Sequence, residues 1–224
     1  MESHQKQFIK KLESFDYGRN TYDKFREFCK VTAYSLASPF YPELARKELE
    51  SIKLIEDKQK LAAYETCLDI LVDALESESQ DFLGFVFSLN EFGNNRSGQF
   101  FTPFNISLLV ARLQISGHEE IIKQKGLVKI LEPACGSGGM IIAVREVLLN
   151  SGYNTNNLYA ELTDIDELCF FMAYIQISLY GIAARVVHGD TLRPKIFREL
   201  YTPVYFIDNY KLRLLISDLS QNLG

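Results

Sequence analysis

The sequence predicts an α/β protein, with a parallel, doubly wound sheet in its second half and a helical domain ahead of it. Three observations lead there. Apolar residues recur at spacings of three and four through roughly the first ninety positions, a helical rhythm. From Leu127 onward, short β-rich runs alternate with helical ones, the order of a parallel sheet with crossover helices. A glycine-rich turn then joins the first of those runs to the helix behind it.

In the first half, Leu61, Tyr64, Leu68, Leu71 and Leu75 fall on one helical face. Phe25, Phe28, Val31 and Leu36 form a looser stripe before it, and Pro39 and Pro42 punctuate the region between. A further helix holds Phe82, Phe85, Val86 and Leu89. These stripes are read as core packing. The polar runs Glu76–Gln80 and Asn94–Gly98 are links. The second marks the domain boundary, giving a helical domain over 1–93 and an α/β domain over 94–224.

In the second half, residues 127–131, 158–163 and 185–188 read as strands, and 138–149 and 167–179 as helices. Val204–Ile207 reads as one more strand and Leu212–Leu219 as a closing helix. Ligands of such sheets sit beyond the carboxyl ends of the strands, so functional residues are sought there.

Composition narrows the class. No apolar run reaches the roughly 18–20 residues of a membrane span, and the first residues lack the layout of a secretory signal. A cytoplasmic protein is expected. Cys29, Cys67, Cys135 and Cys169 form no C-x-x-C pair, so buried reduced thiols are expected, with neither disulfides nor a metal site. The net charge of −5 argues against strong DNA binding by this chain alone. One local exception is Arg193, Lys195, Arg198, Lys211 and Arg213, opposed over that stretch only by Glu199 and Asp208; a solvated surface is the plain reading.

The first strand runs into Glu132-Pro133-Ala134-Cys135-Gly136-Ser137-Gly138-Gly139. Glycines permit a sharp turn and a close backbone approach to a ligand, and the helix behind the turn aims free N–H groups at it. A dinucleotide fingerprint needs a third glycine where Ile141 stands, which argues against a nicotinamide enzyme. Glu132 suits an ammonium group better than a pyrophosphate, and S-adenosylmethionine carries both an ammonium and a carboxylate. At the second strand end, Asp164 is placed to hold ribose hydroxyls, and Asp166 to cap the next helix. At the third, Asp190 is a candidate acceptor for an adenine amino group, whereas His188 reads as structure. Upstream, Phe100 and Phe101 are candidates for an aromatic lid, with Thr102 as helix N-cap and Pro103 as first helical residue.

Taken together, G-Q-F-F-T-P, E-P-A-C-G-S-G-G-M, D-I-D and G-D-T-L, in this order, resemble the N6-adenine DNA methyltransferases, and most closely the modification subunit of type I restriction systems. The similarity covers roughly Gly98–Leu192, and the leading helices look like a shortened form of that family's N-terminal helical domain. The resemblance implies a Rossmann-like S-adenosylmethionine-dependent methyltransferase fold and methyl transfer to adenine N6 in double-stranded DNA, with restriction-modification subunits as partners. It also implies cofactor contacts at Phe101, Thr102 and Pro103 beside the methionine end. Glu132, Ala134, Gly136, Ser137 and Gly138 would hold the amino and carboxylate groups. Asp164 would bind ribose, Ile165 would pack on the adenine, and Asp190 and Thr191 would stand near its amino group.

The departure is also informative. The family places N-P-P-F or N-P-P-Y soon after the G-D-x-L turn, where it holds the flipped target base. These 224 residues contain no such tetrapeptide; Asn209-Tyr210 is the nearest pairing of an amide with an aromatic. The later strands and a target-recognition domain are likewise absent from the stretch given. Two readings follow: a methyltransferase that acts with a partner, or a catalytically inactive relative that binds cofactor, DNA or a restriction subunit as regulator or decoy. A small-molecule methyltransferase is a third reading, disfavoured by G-Q-F-F-T-P.

Overall fold

A computed structural model describes residues 3–16, 18–52, 57–90, 101–116, 122 and 126–222, with side chains as far as residue 217. It groups into two compact units, Met1–Phe101 and Thr102–Gly224. The expected boundary at 93/94 and the polar link Asn94–Gly98 lie outside the described residues.

The first unit is helical: α1 (His4–Glu13), α2 (Thr21–Ala37), α3 (Pro42–Glu50), α4 (Lys58–Ser77) and α5 (Phe82–Leu89). Local chemistry starts several of these helices. The side chains of Asn20, Asp57 and Asp81 accept the backbone N–H three residues on, and Pro42 begins α3 where its missing N–H costs nothing. The expected stripes supply much of the core, through Phe25, Phe28, Val31, Tyr64, Leu71 and Leu75, whereas Leu36, Leu61 and Leu68 are only half-buried. Phe8 packs edge-on against Phe28 at 5.1 Å and Phe82 at 5.5 Å between ring centroids. One stripe divides, however: Phe82 and Val86 of α5 are buried, whereas Phe85 and Leu89 are more than half exposed. In a helix apolar all round, periodicity cannot say which side faces the core.

Glu27 of α2 is the polar centre of this unit. It accepts from Lys60 and Arg19, each at 2.8 Å, and from the Tyr64 hydroxyl at 3.1 Å. Burial pushes its carboxyl up, but the bonds from Lys60 and Arg19 outweigh that and hold it below the usual carboxylate range.

The second unit opens with α6 (Phe104–Ile115), which packs on α7 (Gly139–Asn150). Among the described residues the sheet has the order β1 (Val128–Glu132), β2 (Leu158–Asp164), β3 (Ala183–Asp190) and β4 (Lys195–Tyr201). The first three strands are parallel; α7 and α8 (Glu167–Leu179) make the crossovers, as the alternating pattern predicts. Leu168–Ile177 of α8 are all buried. Leu158, Ala160 and Leu162 alternate along β2, while Tyr159 turns to the other face and packs with Ala183 and Tyr210.

Three expectations need correction. Val204–Ile207 is not a strand: Pro203 starts a short helix there, α9 (Pro203–Ile207). The strand is Lys195–Tyr201, which turns back antiparallel on β3. Its mix of charged and apolar residues shows no alternation, because its first three residues are exposed on both faces. The first helix of the unit has Pro103 as its N-cap and Phe104 as its first residue, one place later than read, with no side-chain cap from Thr102. The closing helix, α10 (Tyr210–Asn222), contains the expected 212–219 stretch, and the side chain of Leu219 lies outside the described residues. All four cysteines are free and buried. No helix among the described residues is long and apolar enough to cross a membrane.

Candidate cofactor site

The carboxyl ends of β1, β2 and β3 converge on one edge of the sheet, because parallel strands in register end together: Glu132 is opposite Leu162, and Asp164 opposite His188. Between β1 and α7 the chain turns through Gly136 and Gly138, at φ +53° and +91°. Both lie in the left-handed region where a side chain strains the backbone. A Cβ on Gly138 would also come within 3.3 Å of Ile177 Cγ1.

The turn is anchored from below. Cys135 N–H donates to Thr163 O at 2.9 Å, and Gly136 N–H to Asp164 Oδ2 at 2.8 Å. The buried Gln176 side chain donates to Ser137 O, also at 2.9 Å. Gln176 escaped the sequence reading. Its signal was present all the same: an amide in the middle of an otherwise apolar helix needs a partner when buried.

The two aspartates after β2 divide their work. Asp166 caps α8, accepting from Leu168 N at 2.7 Å and Cys169 N at 3.2 Å. Asp164 braces the glycine turn through Oδ2, while its Oδ1 accepts from Asp166 N at 2.9 Å. Glu132 accepts from Ala134 N at 3.3 Å. Ile165 projects from the strand end with 62% of its surface exposed. His188 is structural: its Nε2 lies 3.2 Å from Ile165 O, and its ring packs on Phe170 and Phe197. Asp190 Oδ1 accepts from Leu192 N and Arg193 N at 2.9 and 3.1 Å, and the Thr191 hydroxyl donates to Pro133 O at 2.7 Å.

Thus Glu132, Ala134, Gly136, Ser137, Gly138, Asp164, Ile165, Asp190 and Thr191 gather at one end of the sheet, although the Ser137 side chain is buried beneath the turn. Thr102 and Pro103 lead into α6. Phe101 belongs to the first unit, where its ring meets Phe87 edge-on at 5.0 Å. Gln99 and Phe100 lie outside the described residues. Asn209-Tyr210 is at the opposite end. The Tyr210 hydroxyl donates to Asn156 O, just before β2 begins. That is about 20 Å from the glycine turn at roughly 3.3 Å per strand residue, so this pair cannot stand in for N-P-P-F there.

The electrostatics of the site favour a cation. Burial pushes the Glu132 carboxyl above its ordinary value, against the Ala134 bond, and neighbouring Asp164 adds repulsion. Asp164 is raised as well, first by burial and then by Asp166, in spite of its bonds to backbone N–H groups. Among the described residues neither has a Lys or Arg partner. Two half-buried acids without a cation suit a ligand that brings one. Burial and these same two acids push the Cys135 thiol well up, so it is no nucleophile. No group of three or more metal-ligating side chains occurs among the described residues.

The profile of the N-6 DNA Methylase family matches residues 78–210. The type I restriction enzyme MpnII methylase subunit of Mycoplasma pneumoniae is 26% identical over 152 residues, 64% of this chain. The MjaIX methylase subunit of Methanocaldococcus jannaschii is 23% identical over 116 residues, 52% of this chain. The matched stretches are 26% and 19% of those relatives' own lengths. A solved structure from Listeria monocytogenes, assigned as a class I S-adenosylmethionine-dependent methyltransferase, superposes with a TM-score of 0.55 at 18% identity. It covers 84% of this chain and 54% of its own, a likeness of fold. With more than half of its 224 residues matched by the family profile, the chain belongs to the N-6 DNA methylase family.

Proposed function

We propose that this chain binds S-adenosylmethionine at the carboxyl end of its sheet and serves a DNA adenine-N6 methyltransferase, working in the cytoplasm on double-stranded DNA with restriction-modification subunits as partners. The pair Glu132 and Asp164 carries the reading: two half-buried carboxylates without a cationic side-chain partner among the described residues flank the turn that leads into α7, and the ligand offers an ammonium and a sulfonium. When bound, that cofactor supplies an electrophilic methyl: the S–CH3 bond breaks as the N6–CH3 bond forms, the sulfur leaves as a neutral thioether, and the amine releases one proton.

The residues of this chain position and orient. Glu132 takes the ammonium, and Ala134, Gly136, Ser137 and Gly138 shape the turn against which the methionine end lies. Asp164 holds ribose hydroxyls, Ile165 covers the adenine, and Asp190 and Thr191 meet its edge, with Thr102 and Pro103 beside the methionine end. Such catalysis rests on placement and electrostatics. In this assignment 94–224 is the cofactor domain and 1–93 its helical companion. A specific observation favours a second reading, a catalytically inactive binder. Asn209-Tyr210 lies away from the site, and N-P-P-F/Y does not occur in the 224 residues.

Calorimetric titration of S-adenosylmethionine into the wild type and Asp164→Ala tests the cofactor reading. Micromolar binding that the variant weakens by about a hundredfold, on the order of 2.7 kcal/mol, is expected. A folded wild type that takes up no cofactor overturns it. Methyl transfer to DNA then separates the active reading from the inactive one.

A further inference from the structure

The carboxyl edge of the sheet carries one more feature, the tip of the β3–β4 hairpin. All seven residues from Thr191 to Phe197 are exposed, among them Leu192 at 94%, Ile196 at 55% and Phe197 at 49%. An almost fully exposed leucine is usually found on a mobile segment, but this tip is fixed. Asp190 Oδ1 accepts the N–H groups of both Leu192 and Arg193, and the Thr191 hydroxyl ties the tip to Pro133 of the glycine turn. Gly189 lets the strands close: a Cβ there would stand 2.6 Å from Lys195 O.

The tip is also positive. Arg193 and Lys195 lie between Leu192 and Ile196, and no acidic residue occurs from Thr191 to Phe197. The nearest acid, Asp190, stands opposite Lys195 at the base of the hairpin with its Oδ1 turned to backbone N–H groups, and the next, Glu199 and Glu167, are held by Arg185 and Arg198. Lys195 Nζ lies 5.3 Å from the centroid of the Phe197 ring, so its ammonium stays over an apolar surface at the rim. The chain as a whole is acidic, at −5. A basic, apolar tip standing out from an acidic body, at the edge where ligands bind, is built for a polyanion with an apolar interior.

We propose that this tip docks on duplex DNA, Arg193 and Lys195 meeting phosphates and Leu192 entering the base stack as an apolar wedge. A rigid wedge of this kind offsets the unstacking that exposes a base. The Thr191–Pro133 bond places that event directly beside the cofactor turn. The proposal deepens the methyltransferase reading and rests on it for the identity of the polyanion.

Fluorescence anisotropy with a labelled short duplex tests it on the full chain, across a salt series. The double variant Arg193→Glu/Lys195→Glu is expected to bind at least tenfold more weakly, with a salt slope shallower by about two, one per lost phosphate contact. Leu192→Ala is expected to weaken binding severalfold with the slope unchanged. Both should take up S-adenosylmethionine as the wild type does. Equal affinity and slope in wild type and variants overturn the proposal. So does a Leu192 substitution that changes only self-association in sedimentation, which would assign the tip to a protein contact. A wild type that binds cofactor but no DNA ends this proposal and leaves the cofactor reading standing. The reverse pattern ends the cofactor reading alone.

Discussion

Glu27 in the helical unit and the pair Glu132 and Asp164 at the sheet edge are all partly buried acids, and the protein treats them in opposite ways. Glu27 is surrounded by the chain's own cations, Arg19 and Lys60, and its carboxyl is held low. Glu132 and Asp164 have backbone N–H groups and each other, and both are raised. Where an acid is buried for stability, the sequence provides the counter-charge. Where it is buried without one, the fold carries a cost of the kind that a cationic ligand would remove.

The contrast can be broken from either side. Glu27→Ala has the largest expected effect. It leaves Lys60 and Arg19 without their shared acid and costs about 3 kcal/mol, a melting shift of roughly 6–12 °C by calorimetry. A shift under 2 °C would show the cluster to be surface decoration. The pH dependence follows from the sign. A lowered carboxyl contributes stability above its ordinary range, and that contribution is lost as pH falls through the folded value.

Gly138→Ala comes next. It forces a Cβ into the left-handed region and against Ile177, for about 1–2 kcal/mol of stability and a tenfold or greater loss of cofactor affinity, both measurable on one sample. An unchanged affinity would place the cofactor elsewhere.

Glu132→Gln sharpens the contrast with the smallest effect. A raised carboxyl costs stability above its folded value, and the cost is relieved as pH falls through it. The amide should therefore leave the free protein equal or more stable, by under about 1 kcal/mol, while weakening S-adenosylmethionine about tenfold. Wild-type affinity should fall on acidification from neutral pH toward the carboxylate range, and that fall should be smaller in the variant. A variant both less stable and equally tight would remove Glu132 from the site.

Much of this organisation was legible without coordinates. The α2 and α4 stripes, the strand–helix alternation and the glycine turn depend on local periodicity and backbone chemistry, which adjacent residues encode. Asp166 as helix cap was readable for the same reason. The strand at Lys195–Tyr201 was not, because an exposed edge strand has no apolar face to impose a period of two. The buried half of α5 was hidden because every side of that helix is apolar.

The sequence by itself determined the family, the class of fold and the residue types at the strand ends, since these follow from order and spacing along the chain. Tertiary structure decided which of those residues meet. It set Asp164 under Gly136, Gln176 beneath Ser137 and Thr191 on Pro133, and it sent Tyr210 to the far end of the sheet. These partners are 28, 39, 58 and 54 positions apart. At that separation only the register of the strands and the packing of α8 bring side chains together. Whether a buried acid finds a cation depends on the same long-range arrangement, so only the folded chain could divide Glu27 from Glu132 and Asp164.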